Sequence, residues 1–271
     1  MKQKIKRDGH IHTPFCPHGS KDTMEGYVEE AIRLGREEIS FTEHFPLPEG
    51  ITDEAFAKEC ALTEQVIPEY FHEVEQMQVK YQGKIKIYKG FEVDYVEGRE
   101  EEIKALLNQY GSEIEDSILS VHFVFYKGKY YAIDYEPDME KLMECLPNVE
   151  AIYDLYFKTL IKSVEADLGP YKPRRIGHPS LVRIFQKRWP IDYVNLSLLE
   201  RLVQKLKQDG YEIDFNVAGL RKTLCGETYP SGKLLEFIKQ YKVPYVYGSD
   251  SHAINQLALL EGVVESGENE I

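Results

Sequence analysis

The feature that most constrains this chain is an alternation: short runs of strand character are separated along its length by longer runs with helical spacing. Such alternation points to a mainly parallel sheet with helices outside it, because neighbouring parallel strands need a long crossover. Strands are expected at Lys4 to Thr13, Glu38 to His44, Ile85 to Tyr95, Ile118 to Ile133, Arg175 to His178, Tyr211 to Val217 and Val243 to Gly248. Within the fourth, Lys127-Gly128-Lys129 predicts a hairpin turn. Helices are expected at Asp22 to Leu34, Asp53 to Tyr81, Glu100 to Gln109, Asp138 to Cys145, Val149 to Leu168, Asp192 to Gln208, Ser231 to Tyr241 and Gln256 to Val264. Asp22 is suited to cap the first and Gly35 to end it, and Pro68 marks a kink or break in the second. The strand–helix units number seven, which makes a barrel-like α/β domain the simplest architecture.

No repeat, low-complexity stretch or Gly/Ser linker divides the 271 residues, so residues 1–271 are expected to form a single domain. With 42% apolar and 29% charged residues, disorder does not fit. A balance of 33 Lys+Arg against 46 Asp+Glu gives a net charge of −13, which repels nucleic-acid phosphates and argues against nucleic acid as a partner. No stretch approaches the roughly 20 apolar residues that span a bilayer. The opening Met-Lys-Gln-Lys-Ile-Lys-Arg leads into Asp-Gly-His rather than an apolar secretory region, so a cytoplasmic protein without a membrane partner is expected. The cysteines Cys16, Cys60, Cys145 and Cys225 form no Cys-x-x-Cys pair, which suits a reducing compartment. Cys16 sits among histidines, where it could touch a metal, but the better reading is a small buried thiol.

The histidines carry the chemistry. His10 and His12 close the first strand, His18 lies just beyond it, and His44 closes the second. His122 lies in the fourth strand, His178 ends the fifth and His252 follows the seventh. In a parallel barrel the C-terminal strand ends open onto one face, so these side chains should converge, and independent core histidines have no reason to gather there. A two-residue period places Asp8, His10 and His12 on one face, likewise Glu92 and Asp94, and pairs Asp250 with His252. Imidazole and carboxylate suit Zn²⁺, Mn²⁺ or Fe²⁺, and a carboxylate can bridge two ions. His72, mid-helix with no neighbouring ligand type, reads as structural or solvent-facing, and Asp8 and Glu43 as groups that orient histidines.

The run Asp8-Gly-His10-Ile-His12-Thr-Pro-Phe-Cys-Pro-His18-Gly19 resembles the opening signature of the histidinol-phosphate phosphatases of the PHP (polymerase and histidinol phosphatase) family. Thr42-Glu43-His44, Gly90-Phe91-Glu92, Ser120-Val121-His122, Ile176-Gly177-His178-Pro179 and Ser249-Asp250-Ser251-His252 follow in the family's order. The resemblance implies a distorted (β/α)7 TIM-like barrel that holds three divalent metal ions. His10, His12, Glu92 and Asp250 would hold the first; Glu92, His122 and His178 the second; His18, His44 and His252 the third. Arg183 and Arg221 look like the arginines that such enzymes present to the substrate phosphate, a role that bidentate guanidinium chemistry suits.

The implied activity is hydrolysis of a small-molecule phosphate ester, L-histidinol phosphate, to L-histidinol and phosphate in histidine biosynthesis. A hydroxide bridging two ions would attack phosphorus, with Glu92, Asp250, Arg183 and Arg221 as the catalytic residues. Two rivals stand beside it. One is another phosphoesterase of the same superfamily, acting on a different small phosphomonoester or as a 3′–5′ nuclease or phosphodiesterase; the other is a metal-stabilised domain without catalysis. The general acid, the residues that meet imidazole and ammonium, and the oligomeric state are not legible in the sequence.

Overall fold

The computed structural model of the protein describes residues 5–259. Its main sheet is built from β1 (Arg7–Ile11), β2 (Glu38–His44), β3 (Lys86–Asp94), β4 (Ile118–Ser120), β7 (Arg175–Ile176), β8 (Glu212–Asn216) and β9 (Tyr245–Gly248), all parallel and hydrogen-bonded in that order. A short antiparallel hairpin, β5 (Phe123–Tyr126) and β6 (Lys129–Ala132), stands apart from it. The sheet curls until its edges meet: His12 N donates to Ser251 O at 2.9 Å and Asp250 N to His10 O at 2.8 Å. The result is a nearly closed seven-stranded (β/α) barrel, as the alternation and the resemblance implied.

Helices α1 (Met24–Arg33), α2 (Glu54–Cys60), α3 (Ile67–Lys80), α4 (Glu100–Tyr110), α5 (Glu136–Cys145), α6 (Val149–Glu165), α7 (Leu196–Gln208) and α8 (Gly232–Tyr241) follow the strands. All but α2 bury one stripe; in α7 it is Leu198, Leu199, Leu202, Val203 and Leu206. The core lies between these stripes and the outward faces of the strands, where Phe41 and Phe91 meet Tyr70 and Phe71 of α3. At the N-terminal end of the barrel, the buried Arg175 donates to Asp116 at 2.7 Å and to Gly9 O at 2.9 Å, and Arg7 shares the same carboxylate at 3.0 Å. Among the described residues no helix is long and apolar enough to cross a membrane.

Several boundaries differ from the sequence reading. Thr23, not Asp22, caps α1, accepting from Gly26 N at 3.1 Å; Asp22 accepts instead from Ile254 N at 2.9 Å, a tertiary partner no local pattern shows. Pro68 does not break a helix. It sits in the first turn of α3, where a missing N–H costs nothing, and the break falls earlier, where Ala61 turns extended and Leu62 N donates to His44 O. The expected strand Ile118 to Ile133 is three strands, and His122 lies between β4 and β5 because Asp94 Oδ1 accepts from its backbone N–H at 3.1 Å. The strand before His178 stops at Ile176, and α7 starts at Leu196 rather than Asp192. Of the expected last helix, residues 260–264 lie outside the described residues, and Ile254–Gln256 is a 3₁₀ turn.

Candidate metal centre

The register of the sheet builds the centre. β2 and β3 pair with His44 opposite Glu92, and β3 and β4 pair with Asp94 opposite Ser120, so each strand delivers its polar residues to the same end of the barrel. Small residues make room for them. A Cβ on Gly248 would lie 2.0 Å from Asp214 Oδ1 and 2.8 Å from the Cβ of His10, so only glycine lets these two groups meet beside β9. His178 and Asp250 take left-handed backbone angles, φ 24° and 50°, conformations that cost energy for side-chain-bearing residues and concentrate at functional sites.

Five imidazoles are oriented through Nδ1. His10 donates to Asp214 Oδ2 at 2.8 Å, His12 to Glu43 Oε1 at 3.1 Å and His122 to Asp94 Oδ1 at 2.8 Å. His18 donates to Glu59 O at 2.7 Å and His252 to Asp250 O at 3.1 Å. Carbonyl and carboxylate oxygens here only accept, so in each neutral ring these contacts put the proton on Nδ1 and leave Nε2 as the lone pair that can bind a cation. Yet Nε2 of His18 lies 3.0 Å from Nε2 of His252, and Nε2 of His10 lies 3.2 Å from that of His12. Lone pairs that close require a proton or another cation between them.

Glu92 connects the groups. Its Oε2 lies 3.3 Å from His10, 3.5 Å from His12 and 3.2 Å from His44; its Oε1 accepts from His178 Nε2 at 2.7 Å and from Ser120 Oγ at 2.6 Å. Its two oxygens thus face two different sets of imidazoles. Among the described residues three sets have ligand atoms all within 4.8 Å of one another: His10, His12 and Glu92; Glu92, His122 and His178; and His12, Cys16, His44 and His252. The second coincides with the set that the resemblance implied. In the first, Asp250 stands close by, with Oδ1 3.5 Å from His12 Nε2. In the third, His12 and Cys16 complete the set, while His18 stands against His252.

The electrostatics are those of a cation site. Burial opposes a charge on Glu92 and Asp250, but the surrounding imidazoles, His10 foremost, hold both carboxyls well below their ordinary range. Burial also opposes charge on His12 and His122, yet Asp250 and Glu43 raise the first to about 9, and Asp94 and Glu92 raise the second to about 10. His44, buried, and His252, half-buried, both lose solvation beside His12 and are pushed well below 6.5. Both ring nitrogens of His44 and Nδ1 of His178 are buried without a hydrogen-bond partner. Orphaned nitrogens, facing lone pairs and a shared carboxylate fit divalent ions and fit little else. Burial pushes the Cys16 thiol up, in keeping with the small buried thiol expected.

Above the histidines opens a cavity of about 230 Å³, lined by the candidate ligands other than His10 and His12 and by Arg221, Lys222, Asp134, Tyr229, Leu181 and Ile184. Arg221 reaches it from the 3₁₀ turn after β8, its guanidinium donating to the carbonyls of Ser249 and Asp250. Arg183 is not brought there. Its Nε and Nη2 donate to both oxygens of Glu227, at 2.8 and 3.0 Å, and it lines a separate cavity of about 270 Å³ with Tyr153 and Tyr193. Acting on a phosphate beside the histidines would require it to release Glu227. Sequence reasoning also missed Asp214 and Asn216, whose side chains form a buried network with His10 and Asp250. The signal was there: Asp214 and Asn216 alternate with Ile213 and Phe215 in a strand otherwise suited to full burial. His72 is exposed on α3, and its ring meets Gln76 at 2.9 Å, in keeping with a solvent-facing residue.

The chain belongs to the PHP domain family, whose model matches residues 8–218. The resemblance to the histidinol-phosphate phosphatases of that family is borne out by its relatives. The histidinol-phosphatase of Bacillus subtilis strain 168 is 43% identical over 250 residues, 91% of this chain and 93% of that protein. The crystal structure of a candidate histidinol phosphatase, HisK, from Listeria monocytogenes superposes with a TM-score of 0.89 at 37% identity, over 93% of this chain and 97% of that one. A histidinol phosphate phosphatase from Lactococcus lactis, crystallised with zinc, L-histidinol and phosphate, shares the fold at a TM-score of 0.64 and 20% identity, over 97% and 94% of the two chains.

Proposed function

We propose that this enzyme is a metal-dependent phosphomonoesterase that hydrolyses L-histidinol phosphate to L-histidinol and phosphate, with three divalent ions, Zn, Mn or Fe, held at the C-terminal end of the barrel. The observation that carries the reading is Glu92, whose two oxygens face two separate sets of imidazoles. The activity named for the Bacillus subtilis relative, at 43% identity over nearly the whole chain, supports the substrate.

His10, His12, Glu92 and Asp250 would hold one ion, Glu92, His122 and His178 a second, and His18, His44 and His252 a third. Ions bound there would lower the pKa of water toward neutrality and draw charge from the phosphoryl oxygens. The protein's own contribution is orientation. Glu43, Asp94 and Asp214 hold His12, His122 and His10 with Nε2 turned inward, and raise their basicity as ligands. Arg221, with its guanidinium fixed by two carbonyls at the cavity wall, would hold the phosphate and meet the charge that develops on it. Burial of Glu92 keeps bulk water from competing for its carboxylate.

The test is turnover by one preparation of L-histidinol phosphate, p-nitrophenyl phosphate, bis-p-nitrophenyl phosphate and single-stranded DNA. Hydrolysis of L-histidinol phosphate with at least about a hundredfold higher kcat/KM than any other substrate is expected, since binding contacts to the whole substrate raise that ratio. Preference for the diester or for DNA would replace the reading with a phosphodiesterase or nuclease of the same fold.

A further inference from the structure

We infer that Asp134 recognises the ammonium group of the substrate and so sets the enzyme's choice among phosphomonoesters; this rests on the substrate class proposed above. The cavity over the histidines has opposite walls in chemical terms. Arg221 and Lys222, after β8, supply cationic groups; Asp134, after β6, supplies the one lining carboxylate that no imidazole uses, since Glu92 and Asp250 both face histidines. Asp134 is exposed and makes no hydrogen bond or ion pair with any described residue.

Its position is nonetheless fixed. Ile133 N donates to His122 O at 2.7 Å, and Ala132 N to Asp138 Oδ2 at 3.0 Å, which anchors the base of the β5–β6 hairpin on one side to a candidate metal ligand and on the other to α5. The extra hairpin therefore carries a carboxylate to the rim of the site. A substrate whose phosphate lies toward Arg221 and the histidines presents its ammonium a few bonds from the ester oxygen, within the same cavity. An uncommitted carboxylate at that rim matches such a cation, and a charge-assisted hydrogen bond between them adds selectivity that a plain phosphate ester cannot draw on.

The experiment compares kcat and KM for L-histidinol phosphate and for its amine-free analogue, 3-(imidazol-4-yl)propyl phosphate, in the wild type, Asp134→Asn and Asp134→Glu, with p-nitrophenyl phosphate as reference. The wild type should prefer the amine-bearing ester by about 10- to 100-fold in kcat/KM, the range that a hydrogen bond to a charged group spans. Asp134→Asn should collapse that preference to within a few-fold, chiefly through KM, and Asp134→Glu should restore part of it. An Asp134→Asn enzyme that keeps the wild-type preference, or a wild type that handles both imidazole esters alike, overturns the role of Asp134 and leaves the substrate reading standing. A wild type that hydrolyses neither imidazole ester better than p-nitrophenyl phosphate overturns the substrate reading itself.

Discussion

Glu92 is the residue on which both ion sites of the proposed reaction depend, because one carboxylate at the end of β3 serves imidazoles from β1, β2 and the loops after β4 and β7. Glu92→Ala should lower kcat by on the order of a thousandfold or more, and the purified variant should carry fewer ions than the wild type by elemental analysis. A variant with full metal and full activity would remove Glu92 from its bridging role. Glu43 acts one step back. It accepts from His12 Nδ1, from Thr13 through both its N–H and its hydroxyl, and from the backbone of His44. Despite burial these donors hold its carboxyl down to about 2, while His12 rises to about 9, a matched pair of shifts. Glu43→Gln should weaken metal binding or activity about 10- to 100-fold, the usual cost of losing the group that orients a ligand. Arg221→Ala should cost more in kcat/KM for L-histidinol phosphate than Arg183→Ala, since Glu227 already engages Arg183; the reverse order would show that Arg183 leaves Glu227 to meet the phosphate. At this scale the candidate ligands were legible because imidazoles gathered at successive strand ends suit a metal site far better than an apolar core. Asp214 was legible only through its alternation with Ile213 and Phe215, a pattern that marks a polar residue facing the barrel interior but does not say which histidine it holds.

The elements were legible wherever local pattern and tertiary demand agree. β2 runs from Glu38 to His44 as expected, and β3 and α4 fall within a residue of expectation, because apolar periodicity alone sets them. Expectation failed where a long-range partner decides. Asp94 draws the backbone of His122 out of line and ends β4 after three residues. That contact leaves no trace in neighbouring residues. β9 depends on close approach in the same way. Gly248→Ala would drive a Cβ to 2.0 Å from Asp214 Oδ1, so it should lower unfolding stability by about 1–3 kcal/mol and loosen His10. Thermal unfolding and metal analysis of one sample check both effects, and an unchanged midpoint with unchanged metal content would show that the barrel yields at this point.

The barrel as a whole gathers buried carboxylates and imidazoles around the space that the ions would fill, so protons and metal ions compete for the same nitrogens. In protein stripped by a chelator, His12 and His122 keep protons to about 9 and about 10. Because those values lie above the ordinary 6.5, the stability they contribute is complete below pH 6.5 and is lost as pH rises through 9 and 10. Adding Zn²⁺ or Mn²⁺ at pH 8 should therefore expel protons, on the order of one or two per chain, and apparent affinity should rise with pH until these rings have lost their protons. Proton release followed with an indicator dye in weak buffer measures this, and uptake without release would contradict it. Net charge of −13 argued against nucleic acid, while the cationic groups that offset it locally, Arg221 and Lys222, become apparent only once β8 has placed them over the histidines. The central claim is tested most directly by measuring phosphate release from L-histidinol phosphate and metal content in the same sample. About three ions per chain with rapid release is the predicted result; full metal content with no release, or release by protein that binds no metal, would contradict it.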